Sequence, residues 1–302
     1  MCANRVDQAE GLRRLLVRNH TQVITVVAGK SGVGRTSMII NLAAALARAG
    51  KDVLVLDENH APNNLLDRLG LFARRDLLDV AQGRCKPQEA VLATKGFSVL
   101  HTARAMYALA KLNDHERQRM EKALTEVSGS VDVMLVDAAM LVGQVAVSSS
   151  MASQAALLVV VDGTISGITE SYALIKRLAL ENARLQFEIV VNKAGSEQEA
   201  RIVFENMEKV ARSKLSARLE YLGCVPLDDR LKRATQLRRP VVDAFPSAIS
   251  AKSYMSLSQK LLCMPIRQDD TEGGISTVIQ SLMRQVAQSP HRQSREMAHV
   301  VN

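Results

Sequence analysis

The chain has 302 residues, 47% of them hydrophobic and 23% charged, an ordinary globular balance that excludes disorder as its main state. No apolar run reaches the roughly 18 residues that a membrane span needs. Lys and Arg number 39 against 31 Asp and Glu, a formal charge of +8 that admits an anionic partner: a nucleotide, a membrane surface or a nucleic acid.

Residues 1–5 carry no apolar stretch of the signal-peptide kind, so the expected location is the cytoplasm. Residues 7–16 are helix-prone, with Leu12, Leu15 and Leu16 on one side and Arg13 and Arg14 beside them. That segment reads either as a helix packed on the domain's own surface or as a docking element. From residue 22 onward, near-continuous apolar runs alternate with longer helical patterns. Strands are expected at 22–28, 52–56, 97–100, 132–136, 156–161, 187–191 and 219–224. This rhythm is that of an α/β chain: a doubly wound, mostly parallel sheet with helices on both faces. Cys2, Cys85, Cys224 and Cys263 show no C-x-x-C or Cys/His pairing. They are expected as small buried side chains rather than zinc ligands or a redox pair. Aromatics are scarce, with no Trp, four Tyr and five Phe, which disfavours the stacking platforms of single-strand binders.

After the first strand come Gly29, Lys30, Ser31, Gly32, Val33, Gly34, Arg35, Thr36 and Ser37, and then a helical stretch. This is a P-loop frame. Spaced glycines let backbone N–H groups curl around phosphate oxygens, the following helix adds its dipole, and Thr36 offers a hydroxyl to Mg²⁺. The alternative is a glycine-rich turn closing any strand-helix unit. Arg35 stands where the general pattern has lysine; its planar fork still binds phosphate but is bulkier than an ammonium.

Strand two ends in Asp57, Glu58 and Asn59, and the strand at 132–136 ends in Asp137. A carboxylate at the C-terminal edge of a parallel strand lies beside such a loop, where it can hold Mg²⁺ or a water. Asp57 also reads as a cap for the next segment. Asn59 can position a water but cannot accept its proton. Asn192 and Lys193 close a later strand; an amide there can read a base edge or simply form a turn.

Residues 30–37 resemble the deviant Walker A box K-G-G-x-G-K-[ST]-[ST] of MinD/ParA-type ATPases, with Ser31 for Gly and Arg35 for Lys. The resemblance runs in order through Asp57, Asp137 and Asn192 to 222–229, Ala234, Pro240 and Pro246. It implies ATP or ADP bound by residues 29–37 with Asn192 and Lys193, and Mg²⁺ held by Thr36, Asp137 and Asp57. It also implies that Lys30 reaches across a nucleotide-sandwich homodimer to the partner's ATP. The family's water-orienting second Asp is Asn59 here, and its glycine-bearing switch is replaced by residues 138–143, which together imply slow turnover of ATP to ADP and phosphate.

The string formed by Asp7, Gln8, Ala9, Leu12 and Arg13 resembles the activator element of the flagellar number regulators (FlhG, FleN, YlxH), and residues 76–84 also resemble theirs. That resemblance implies docking of an FlhF-type GTPase, with flagellar C-ring proteins or a flagellar transcriptional activator as further partners. Ile275, Val278, Ile279, Leu282, Met283 and Val286 form an amphipathic stripe after a polar linker. The stripe reads as a reversible membrane-surface helix or as one docked on the protein's own body. Arg230, Lys232, Arg233, Arg238 and Arg239 form a basic run, a solvated face or, as the sharper alternative, a DNA contact.

The expected organisation is a partner-docking segment at 1–20, a P-loop ATPase domain at 21–266, and a linker with an amphipathic tail at 267–302. The expected function is an ATP-binding dimerisation switch regulating flagellar number and placement, cytoplasmic with reversible association to the inner membrane face. Two alternatives stand beside it: a non-hydrolysing scaffold of the same family, and a ParA-like DNA partition ATPase.

Overall fold

The computed structural model describes residues 21–60, 62–138, 156–181, 186–215 and 217–264. The first half runs β1 (Gln22–Val27), α1 (Arg35–Arg48), β2 (Val53–Asp57), α2 (Leu65–Leu69), α3 (Leu77–Ala81), α4 (Pro87–Ala90), β3 (Val91–Ala93), β4 (Ser98–His101), α5 (Ala103–Ala108), α6 (Asp114–Ser128) and β5 (Val133–Asp137). The second half runs β6 (Ala156–Asp162), α7 (Ile165–Glu181), β7 (Gln186–Ala194), α8 (Glu197–Leu215), β8 (Arg218–Pro226), α9 (Asp229–Gln236), α10 (Val241–Ala244) and α11 (Ile249–Leu262).

A strand that is apolar at every position must be covered on both faces. In β2, Val53 and Val55 face one cluster while Leu54 and Leu56 face another. The same split divides Val133 and Leu135 from Met134 and Val136 in β5. One face is covered by α1 and α11, through Met38, Leu42, Leu46, Tyr254, Leu257 and Leu261. The opposite face is covered in two parts, by α3 and α6 under β2, β4 and β5, and by α7 and α8 under β6 and β7.

The sheet has eight strands in the order β3-β4-β2-β5-β1-β6-β7-β8. Every pairing is parallel except β3 with β4. All seven expected strands are present, and the doubly wound reading holds. The expectation missed β3, whose three residues follow directly on a four-residue helix and leave no periodicity to read.

The cysteine expectation needs correction. Cys85 and Cys224 are only half-buried and Cys263 is exposed. Cys224 sits on the edge strand β8, where its thiol donates to Glu197 Oε2 at 3.0 Å. Residues 76–84 contain α3 and its cap. Asp76 caps α3, its Oδ1 accepting the Leu78 and Asp79 amides at 2.9 and 3.1 Å. The two buried carboxylates are answered by Arg104, 3.0 Å from Asp76, and Arg84, 3.1 Å from Asp79. The docking residues Asp7, Gln8, Leu12 and Arg13, the switch residues 139–143 and the stripe at 275–286 lie outside the described residues.

Candidate nucleotide site

The strand order places the site. The chain leaves β1 toward β2 on one side and later continues from β6 on the other, so β1 lies between β5 and β6 at the switch point, and ligands of open α/β sheets bind outside the strand ends there. Residues 29–37 occupy that position. Gly32 and Gly34 adopt left-handed backbone, with φ of 84° and 98°, and Gly34 is the N-cap of α1. A loop so shaped turns successive N–H groups inward and ends on the positive end of a helix, the arrangement that holds phosphate.

The loop is braced by β7 and α7. Asn192 donates through Nδ2 to the Val33 carbonyl at 2.7 Å, and Lys193 through Nζ to the Gly32 carbonyl at 2.7 Å. Gly29 lies so close to α7 that a Cβ there would stand 2.3 Å from the Glu170 carbonyl. Lys30 donates to Ser166 Oγ at 2.6 Å, near the start of the same helix. Asp162 fixes that helix start, accepting the Thr164 hydroxyl and amide at 2.5 and 3.2 Å.

The acids come from neighbouring strand ends. Asp57 and Asp137 are register partners across β2 and β5, and His101 is the partner of Asp57 on β4. Both carboxylates are fully buried. Asp57 Oδ1 accepts the Asn59 amide at 3.1 Å, and Asp57 Oδ2 lies 3.3 Å from His101 Nδ1. Asp137 Oδ2 accepts the Thr36 hydroxyl at 3.1 Å, while Arg35 Nε stands 2.5 Å from Asp137 Oδ1. Burial pushes the Asp137 carboxyl up to about 6; the Arg35 charge opposes that rise, the Asp57 carboxylate adds to it, and the Thr36 hydroxyl opposes it.

The structure thus brings residues 29–37, Asp57, Asn59, Asp137, Asn192 and Lys193 to one edge of the sheet. Two of them sit differently from the simplest reading. Asn192 meets the loop through a backbone carbonyl, and Arg35 points at Asp137. His101 and Ser166 were missed. His101 is a titratable residue ending a parallel strand, a signal of the kind that marked Asp57 and Asp137; Ser166 carried no such signal.

Unmet groups at this edge fit a metal-nucleotide ligand. Arg35 Nη1, a donor, and Asp137 Oδ1, an acceptor, are buried without a hydrogen-bond partner among the described residues. A phosphate oxygen suits the first, and a divalent ion suits the second once the Arg35 guanidinium, whose Nε is 2.5 Å away, gives up its place there. Among the described residues no cluster of three or more His, Cys, Asp or Glu is placed to hold a metal, and no helix is long and apolar enough to cross a membrane. The basic run is partly engaged within the chain, with Lys232 on Asp229 at 2.9 Å, Arg230 on Ser247 at 3.3 Å and Arg233 over the Phe245 ring at 6.0 Å.

Residues 24–241 match the model of the CobQ/CobB/MinD/ParA nucleotide binding domain. The chain belongs to the MinD/ParA family. Among its relatives is the antiactivator FleN of Pseudomonas aeruginosa, 35% identical over 246 residues, which are 81% of this chain and 88% of FleN. The flagellum site-determining protein YlxH of Helicobacter pylori is 26% identical over 81% of this chain and 83% of its own. The fold matches that of MinD from Pyrococcus horikoshii, solved with Mg-ADP, at a TM-score of 0.62 and 24% identity, covering 80% of this chain and 96% of that one. Residues 29–37, Asp57 and Asp137 lie within the span that matches this family's nucleotide binding domain.

Proposed function

We propose that this MinD/ParA-family chain is an ATP-dependent dimerisation switch that regulates flagellar number and placement. The observation that carries the reading is the ordered P-loop of residues 29–37 facing Asp57 and Asp137, in a chain 35% identical to FleN over 81% of its length. Phosphates would sit on the loop N–H groups and the start of α1. Thr36, Asp137 and Asp57 would hold Mg²⁺, which screens phosphate charge and polarises the transferred phosphoryl group when bound. Lys30, tied to Ser166 by a single exposed hydrogen bond, is free to exchange that partner for the nucleotide of a second copy. Asn59 supplies an amide where a carboxylate would help remove a proton, so hydrolysis is slow, by roughly 10² to 10⁴ relative to a site with a general base. Residues 1–20 would dock an FlhF-type GTPase, and the stripe at 275–286 would rest on the inner membrane face.

The testing experiment titrates ATP and ADP, each with Mg²⁺, into the protein by calorimetry while its size is followed by light scattering. ATP is expected to shift monomer to dimer and ADP to leave it monomeric, with Lys30→Ala binding ATP but staying monomeric. Absence of binding by either nucleotide removes the reading. A second reading, a non-hydrolysing scaffold, is favoured by the inward turn of Arg35 and by Asn59. Phosphate release measured on the wild type, Arg35→Lys and Asn59→Asp separates the two. A substantial wild-type rate that neither substitution raises sinks the scaffold.

A further inference from the structure

Arg35 is turned into the protein. Only 8% of the residue is exposed, and its Nε lies 2.5 Å from Asp137 Oδ1. The second Asp137 oxygen accepts the Thr36 hydroxyl at 3.1 Å. The hydroxyl and the carboxylate with which a P-loop site holds a divalent ion are therefore already engaged with each other, and a side chain supplies the positive charge between them. The guanidinium is not saturated. Nη1 is buried without a hydrogen-bond partner among the described residues, and Nε meets Asp137 as a charge contact rather than an aligned hydrogen bond. A guanidinium presents five donors in a planar fork, so one edge can stay on a carboxylate while another meets an anion. A lysine ammonium is a compact point charge on a flexible stem and lacks that two-edged geometry.

We propose that Arg35 links Asp137 directly to the phosphates of a bound nucleotide in the place of a divalent ion, so that nucleotide binding by this chain needs little Mg²⁺. The inference rests on the nucleotide reading above and deepens it. The ion enters only when Arg35 leaves Asp137, which separates binding from hydrolysis.

The test measures the dissociation constants of ADP and ATP for the full chain in Mg²⁺ and in excess chelator, for wild type and Arg35→Lys. Wild-type affinity is expected to change by less than about threefold on chelation, and that of Arg35→Lys to fall by about tenfold or more, because a lone ammonium no longer bridges the carboxylate to the phosphates. A tenfold loss in the wild type overturns the proposal and leaves the nucleotide reading intact. Equal indifference of Arg35→Lys and wild type to chelation also overturns it, because the guanidinium would then not be the cause. The wild-type comparison needs no variant, so poor folding of Arg35→Lys does not shelter the idea. If neither nucleotide binds with or without metal, in a chain that still melts cooperatively, the nucleotide reading itself falls.

Discussion

Asn192 reaches 159 positions back along the chain to hold the Val33 carbonyl, Nδ2 to oxygen, at 2.7 Å. The end of β7 thereby sets the shape of the phosphate loop, and Lys193 adds a second grip on the Gly32 carbonyl at 2.7 Å. An Asp at 192 would put a carboxylate oxygen against a carbonyl oxygen. Leaving a buried carbonyl unmet costs about 1–3 kcal/mol, so Asn192→Asp is expected to weaken nucleotide binding by about tenfold or more. Calorimetric titration reads this directly; an unchanged dissociation constant would show that the loop keeps its shape alone.

Gly29 is required for a different reason from Gly32. A Cβ on Gly29 would stand 2.3 Å from the Glu170 carbonyl carbon and oxygen and 2.4 Å from the Ser171 nitrogen, all backbone atoms that cannot swing aside. A Cβ on Gly32 would meet nothing within 4 Å and carries only the strain of its φ of +84°. Gly29→Ala is expected to destabilise the fold by about 1–3 kcal/mol or more through overpacking. Gly32→Ala should cost only about 1–2 kcal/mol, the penalty of left-handed backbone. Denaturant unfolding of both variants should rank them in that order, and the reverse ranking would refute the close packing of loop on helix.

The Arg35 and Asp137 contact should appear in stability without any nucleotide present. Breaking a buried pair from one side leaves an uncompensated charge, at a cost of about 3–5 kcal/mol, whereas removing both charges leaves none. At pH 8, Arg35→Met and Asp137→Asn should each lower the melting temperature. The double variant should then melt higher than the sum of the two losses requires, with a coupling of about 0.5–3 kcal/mol. Additive losses would mean that the two side chains do not sense each other in solution.

Much of the site was legible because strand ends announce themselves. Apolar runs that stop at Asp57, Asp137 and Asn192 place those side chains at one edge of a parallel sheet by pattern alone. The glycine spacing of residues 29–34 likewise calls for backbone that only glycine adopts freely. The direction of Arg35 was not legible, because its partner is brought alongside by the pairing of β1 with β5, where Val26 faces Asp137. Nor was the seat of Lys30 on Ser166, which depends on where β6 delivers the start of α7. The segment at 76–84, which resembles that of the flagellar number regulators, is held in place by its own buried capping carboxylates, a role the resemblance alone did not reveal.

Asp228 predicts an acid-side loss of stability. It caps α9, accepting the Arg230 amide at 2.9 Å on Oδ1, and clips that helix to α11 by accepting the Ser250 hydroxyl and amide at 2.7 and 3.1 Å on Oδ2. Partial burial alone would raise its carboxyl, but the Ser250 bonds, the Arg230 amide and the Arg230 charge outweigh it and hold the group below its ordinary 3.8. A carboxyl lowered by folding adds stability that is fully present above its unfolded value and lost as pH falls through the folded one. The contribution is therefore intact above about pH 4 and disappears below it. Asp228→Asn keeps one capping acceptor but not the charge. Its melting temperature should fall below that of the wild type at neutral pH, with the gap closing as both are acidified below pH 4. Following the difference between the two proteins, rather than either alone, cancels the titration of the other carboxylates. A gap of the same size at pH 3 and pH 7 would mean that the ionised carboxylate contributes nothing beyond the cap.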